Sequence, residues 1–88
     1  MSNVRLTTIE KGEGVEKTRI LLEGNFKYIN LIHRFLNLFE EKEMLLIESI
    51  SLPTNVNSSN ASIMLTLRTN NFQEVITYIS EKIPIETA

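Results

Sequence analysis

Alternation of apolar and polar residues predicts four β-strands. Residues 4–9 are rich in β-branched side chains and roughly alternate, and residues 18–23 do the same after a charged segment with two glycines. These two strands can form a hairpin. Residues 44–52 and 61–69 predict a second hairpin, joined by a segment rich in Pro, Asn and Ser that is typical of turns.

The third predicted strand contains an irregularity. Its apolar positions break strict alternation between Ile47 and Ile50. One extra residue near Glu48 and Ser49 would return both apolar side chains to the same face. The sequence therefore predicts a β-bulge or a bend at this point.

Residues 26–41 have the 3.6-residue period of an amphipathic helix, and Asn25 stands where an N-cap belongs. At about 100° per residue the apolar side chains fill an arc of about 180°, whereas one-sided packing needs roughly 100°. Either a neighbouring helix covers one flank of this arc or a partner protein does. The helix stripe that a partner would cover consists of Tyr28, Leu31, Phe35 and Leu38.

A second helix is predicted after Asn70 or Asn71, and Pro84 follows its end. Its narrow apolar stripe fits a sheet and consists of Phe72, Val75, Ile76, Ile79 and Ile83. The predicted order is ββαββα within one domain, residues 1–88. We expect an α+β fold, a two-layer ferredoxin-like plait with a four-stranded antiparallel sheet and both helices on one face. The first strand would take the place of the missing last strand, which makes the connection circularly permuted.

Composition excludes several classes of function. The 88 residues are 42% hydrophobic and 23% charged, as expected for one globular domain. A formal net charge of -2 gives no electrostatic reason to bind nucleic acid or anionic lipid. The absence of cysteine excludes disulfides, thiolate nucleophiles and zinc-thiolate sites. Apolar runs are far shorter than the roughly 20 residues of a membrane helix, so we expect no membrane contact by this segment.

Candidate chemistry is sparse. His33 is the single histidine, and on the helical wheel it falls on the polar face, where we expect a solvated side chain. The run Glu40-Glu41-Lys42-Glu43 lies at a helix end without the loop geometry of a calcium site, and we expect it to be solvated. We therefore predict no catalytic, metal or cofactor site.

Three motifs carry a family resemblance. They are Gly24-Asn25-Phe26 at the helix start, Phe35-Leu36-Asn37-Leu38-Phe39-Glu40 near its end, and Ile47-Glu48-Ser49-Ile50-Ser51-Leu52 on the next strand. Together, over residues 18–69, they resemble the periplasmic domain of PilO-like proteins of type IV pilus assembly and of the related GspM-like proteins of type II secretion. A helix after the last strand, rather than before the first, departs from that pattern.

The resemblance implies an interaction domain without catalysis. Members of this family have a cytoplasmic N-terminus, one membrane helix, a coiled coil and then this small domain, which dimerises and joins an inner-membrane complex. It would make this chain an excised C-terminal domain on the periplasmic side of the bacterial inner membrane. Its expected partners are a second copy or a paralogous assembly protein.

A second interpretation is an ACT-like regulatory domain, which shares the β-α-β-β-α order and binds amino acids at a strand-to-helix loop in a dimer interface. Such a loop usually carries small residues that let a ligand approach the backbone. Here the corresponding place holds Phe26-Lys27-Tyr28. The final strand of that fold is missing, although residues 85–88 could begin one.

Overall fold

The computed structural model describes residues 4–11, 13, 18–53 and 60–87 of the chain. Much of both predicted turn segments, including Gly12 and Gly14, lies outside the described residues. The elements are β1 (Val4–Glu10), β2 (Arg19–Asn25), α1 (Phe26–Glu41), β3 (Leu45–Ser51), β4 (Asn60–Leu67), α2 (Phe72–Ser80) and β5 (Ile85–Thr87).

The described strands form one mixed sheet in the order β3-β4-β2-β1-β5. Pairing is antiparallel except between β1 and β5, which are parallel. The four predicted strands pair antiparallel as expected, but the prediction missed a fifth strand, and its parallel pairing makes the sheet mixed. The fifth strand, β5, has three residues after Pro84, too few for a periodic signal, and only the ACT-like interpretation allowed a strand to begin at residues 85–88. Both predicted hairpins are confirmed by the β1–β2 and β3–β4 pairings.

The predicted bulge in β3 is also confirmed. Ile47 pairs with Leu65 and Ser49 pairs with Met64, so Glu48 is the extra residue. Two residues of β3 oppose one step of β4 here, which turns Ile50 to the face that carries Ile47. The bulge thus determines that the side chain of Ile50 lies on the helix side of the sheet.

Both helices pack on one face of the sheet. Alternate residues of the strands and the apolar faces of α1 and α2 belong to a single buried cluster. Its members are Val4, Leu6, Ile20, Leu22, Ile29, Ile32, Leu36, Leu45, Ala61, Ile63, Leu65, Leu67, Phe72, Val75, Ile76, Ile79 and Ile83. The α+β class and the two-helix layer are therefore as predicted, and the opposite face of the sheet, the open face, carries no helix among the described residues.

Helix α1 has a formed cap at each end. Its first turn is capped as predicted, because the Lys27 N–H donates to Asn25 Oδ1 at 2.9 Å. At the other end Glu43 has φ of 60° and donates its N–H to the Glu40 carbonyl at 2.9 Å. Met44 donates to the carbonyl of Phe39 at 3.1 Å, which completes a Schellman motif. Helix α2 begins after Asn71, whose side chain makes no cap hydrogen bond.

Candidate functional site

The predicted helix stripe divides into two parts in the structure. Tyr28 and Phe35 are half-buried and pack against the core. Leu31 remains 39% exposed and Leu38 remains 55% exposed. Two of the four predicted residues therefore pack partly against the core, and the other two are exposed on the surface of α1.

Helix α2 covers one flank of α1. The ring of Tyr78 contacts the ring of Phe35 in a T-shaped arrangement, with centroids 5.8 Å apart and planes at 80°. Tyr78 itself stays 45% exposed, and Lys82 Nζ lies 5.0 Å from its centroid. A neighbouring helix thus accounts for Phe35 but not for the leucines. We call the surface formed by Leu31, Phe35, Leu38 and Tyr78 the α1 patch.

A second exposed apolar surface lies at the opposite flank of α1 and was not predicted. Phe26, Ile50 and Leu52 are 40%, 39% and 56% exposed and line a groove of about 260 Å³. Ile29, Asn30 and His33 complete its lining. We call this surface the α1–β3 groove. The break in alternation on β3 was the signal for it, because the bulge directs Ile50 toward the helix layer beyond the end of the packed core.

The expectation that the side chains of His33 and Glu40 are fully solvated was wrong. His33 is half-buried and lines the α1–β3 groove. Glu40, also half-buried, accepts a hydrogen bond from the backbone N–H of Ile47 through Oε2 at 2.6 Å. Since β3 is an edge strand among the described elements, this carboxylate covers a donor that would otherwise face outward.

The open face of the sheet carries a cross-strand ion-pair cluster. Arg19 on β2 donates from Nε to Glu48 Oε2 at 3.0 Å and from Nη1 to Glu10 Oε2 at 3.4 Å. The bond to Glu48, followed by that to Glu10, raises the pKa of Arg19. This pKa shift favours the charged form of the Arg19 guanidinium.

The described residues contain no group of three or more His, Asp or Glu side chains placed to hold a metal ion. A depression of about 330 Å³ between α2 and the sheet is lined by neutral side chains, among them Thr8, Thr69 and Gln73. It does not lie at the β2–α1 connection, where the ACT-like interpretation places its ligand; an open depression of about 470 Å³ does border the end of β2, at Glu23 and Gly24. There α1 begins directly after the last residue of β2, so no loop separates them.

Neither described helix combines the length and the apolar character needed to cross a bilayer. Comparison of the chain with protein-family models, with curated proteins and with solved structures gave no match.

Proposed function

We propose that this chain is a non-catalytic association domain that acts by pairing with a second copy through the α1 patch. The observation that carries the proposal is the exposure of Leu31 and Leu38, at 39% and 55%, on the one helix whose apolar arc exceeds what the sheet needs. Exposed apolar side chains grouped on one surface are typical of protein interfaces. They have no evident role in the fold of the single chain.

The resemblance of residues 18–69 supports a biological setting. The three motifs that resemble PilO-like and GspM-like domains include the start of α1, most of its second half and the last five residues of β3. We propose that the domain belongs to an inner-membrane alignment complex for type IV pilus assembly or type II secretion. It would act at the periplasmic side as a homodimer, or as a heterodimer with a paralogous assembly protein.

We also propose a ferredoxin-like plait with an inserted strand. From β2 onward the order is βαββαβ, and β5 supplies the last strand that was expected to be missing. In the sheet, β1 lies between β2 and β5. Insertion of β1 therefore describes the topology better than circular permutation.

The charges at the two ends of α1, beside the α1 patch, are complementary in an antiparallel pair. Exposed Lys27 is the second residue of α1, exposed Arg34 lies at its midpoint, and exposed Glu41 ends it. On the helical wheel all three fall on the solvent side of Leu31 and Leu38. When two such helices pair antiparallel, this flank meets itself reversed, which brings Lys27 of one copy toward Glu41 of the other, while the Arg34 side chains of the two copies lie near the twofold axis.

Size is consistent with an interface centred on this helix. Sixteen residues give α1 a length of about 24 Å. A stable interface buries about 800 Å² on each partner, with an apolar centre and a polar rim. The α1 patch would supply the centre and the charged flank the rim.

Sedimentation equilibrium up to about 1 mM tests the proposal. The native chain should show a reversible monomer–dimer equilibrium, and Leu38→Asp should remove it while the far-UV spectrum stays native. Leu46→Asp is the matched control, because Leu46 is 47% exposed but lies on the open face of the sheet. A native chain that remains monomeric throughout, or a control that abolishes dimers equally, would refute pairing through the α1 patch.

A further inference from the structure

We propose that the α1–β3 groove binds an extended peptide that carries an apolar side chain flanked by carboxylates and adds to the edge of β3 as a further strand. The lining of this groove shares no residue with the α1 patch, so the inference stands or falls independently of the proposed function. Three observations support it: a free backbone edge, an apolar groove beside that edge, and two basic side chains, Lys27 and Arg34, one helical turn to either side of Asn30, which lines the groove.

The backbone at Ile50 faces away from β4. In an antiparallel ladder, bonded and non-bonded pairs alternate. Arg68 donates to the Met44 carbonyl, so counting along the register across the bulge makes Ser51 and Ser62 a bonded pair and Ile50 and Ile63 a non-bonded one. The N–H and C=O of Ile50 therefore point outward, where no described strand pairs with them.

The same alternation explains why the backbone N–H and C=O of Ile47 also point away from β4. At Ile47, however, the backbone N–H already has a partner. It donates to Glu40 Oε2. A peptide added to β3 can consequently pair along the end of the strand around Ile50 but must displace Glu40 to continue toward Ile47. The site fits a short extended segment rather than a full seven-residue strand.

The groove gives such a peptide a place for one apolar side chain. Its volume of about 260 Å³ is bordered by the exposed faces of Phe26, Ile50 and Leu52, with Ile29 as its floor. Main-chain pairing at a sheet edge supplies affinity and an adjacent side-chain pocket supplies specificity. Apolar area that is half exposed in the free domain would become buried on binding.

Charge selects an acidic peptide over a second copy of this chain. None of the lining residues is a carboxylate, and the exposed charges along the first nine residues of α1 are Lys27 and Arg34. Carboxylates beside the apolar residue of the peptide would meet these cations. Two copies joined at Ile50 would instead bring the basic starts of both α1 helices to one seam, which opposes self-pairing at this edge.

Titration of the ¹⁵N-labelled domain with two synthetic peptides tests the inference. The acidic probe is Ac-Glu-Val-Leu-Val-Glu-amide and the control is Ac-Lys-Val-Leu-Val-Lys-amide. The acidic probe should shift the amide signals of Ile50, Leu52 and His33 in a saturable way at up to about 2 mM, and the basic peptide should not. Absence of shifts, or equal binding of both peptides, would overturn the proposal.

Three variants separate the contributions. Leu52→Ser should weaken binding of the acidic probe about three- to ten-fold through lost apolar contact. Leu46→Ser, on the open face of β3, should leave binding unchanged. Lys27→Glu should weaken the acidic probe about two- to five-fold. Each variant is exposed and should keep native spectra. If the two leucine variants behave alike, or if Leu52→Ser abolishes self-association of the free domain, the acidic peptide is not the occupant.

Discussion

Removal of the Glu40 carboxylate should destabilise the domain, although this residue belongs to a charged run at a helix end. Glu40 Oε2 accepts the outward N–H of Ile47 at 2.6 Å. Glu40→Ala would leave that donor, in a partly buried contact between α1 and β3, without its partner. The variant therefore tests how much the hydrogen bond between Glu40 and β3 contributes to the stability of the domain.

The magnitude follows from two opposing effects. A hydrogen bond to a charged group contributes about 1.5–3 kcal/mol, and half-burial places this one in the lower part of that range. Removal of a negative charge from a helix C-terminus stabilises the folded state by about 0.3–1 kcal/mol, because that charge interacts unfavourably with the helix dipole. We expect a net decrease of about 0.5–2 kcal/mol in the free energy of unfolding. For a domain of this size that corresponds to a fall in Tm of about 2–16 °C.

Urea unfolding followed by circular dichroism measures the effect. Glu41→Ala is the control, because it removes an equivalent charge at an exposed neighbour and should leave stability unchanged or slightly raised. Glu40→Gln retains an acceptor oxygen and should fall between the two. Equal stabilities for the Glu40→Ala and Glu41→Ala variants would refute the reasoning.

Three further substitutions test the N-cap of α1, the buried core and the residue with positive φ after α1. Asn25→Ala should cost about 0.5–2 kcal/mol in thermal unfolding because it removes the α1 cap, whereas Asn71→Ala should cost little since that side chain makes no cap bond. Leu36→Ala should cost about 2–5 kcal/mol in chemical unfolding because Leu36 is fully buried; a similar loss for Leu38→Ala would contradict the assignment of Leu38 to the surface. Glu43→Gly should stabilise by up to about 1 kcal/mol, because φ of 60° favours glycine, and a loss in the melting temperature would contradict this.

Periodicity was sufficient to predict most of the elements. Strict alternation located β4, the helical period located α1, and the broken alternation around Glu48 located the bulge. Each of these signals extends over several residues and reflects burial on one face. The short strand β5 gives no such signal, and its parallel pairing with β1 depends on contacts distant in sequence.

The candidate surfaces were predictable only in part. The width of the apolar arc correctly indicated that α1 has more apolar surface than the sheet covers. A wheel cannot say which flank a second helix will take, and the Phe35–Tyr78 contact settles that only in three dimensions. The α1–β3 groove and the Glu40 contact depend on how a helix end meets an edge strand, which local sequence patterns do not encode.

The proposed association through the α1 patch is tested most directly by isotope-filtered NOE spectroscopy on a mixture of labelled and unlabelled copies at about 1 mM. The account predicts intermolecular NOEs from the methyl groups of Leu31 and Leu38 to α1 of the second copy. It is contradicted if the intermolecular NOEs arise elsewhere, or if the tumbling rate is that of a 10.1 kDa monomer and no intermolecular NOE appears.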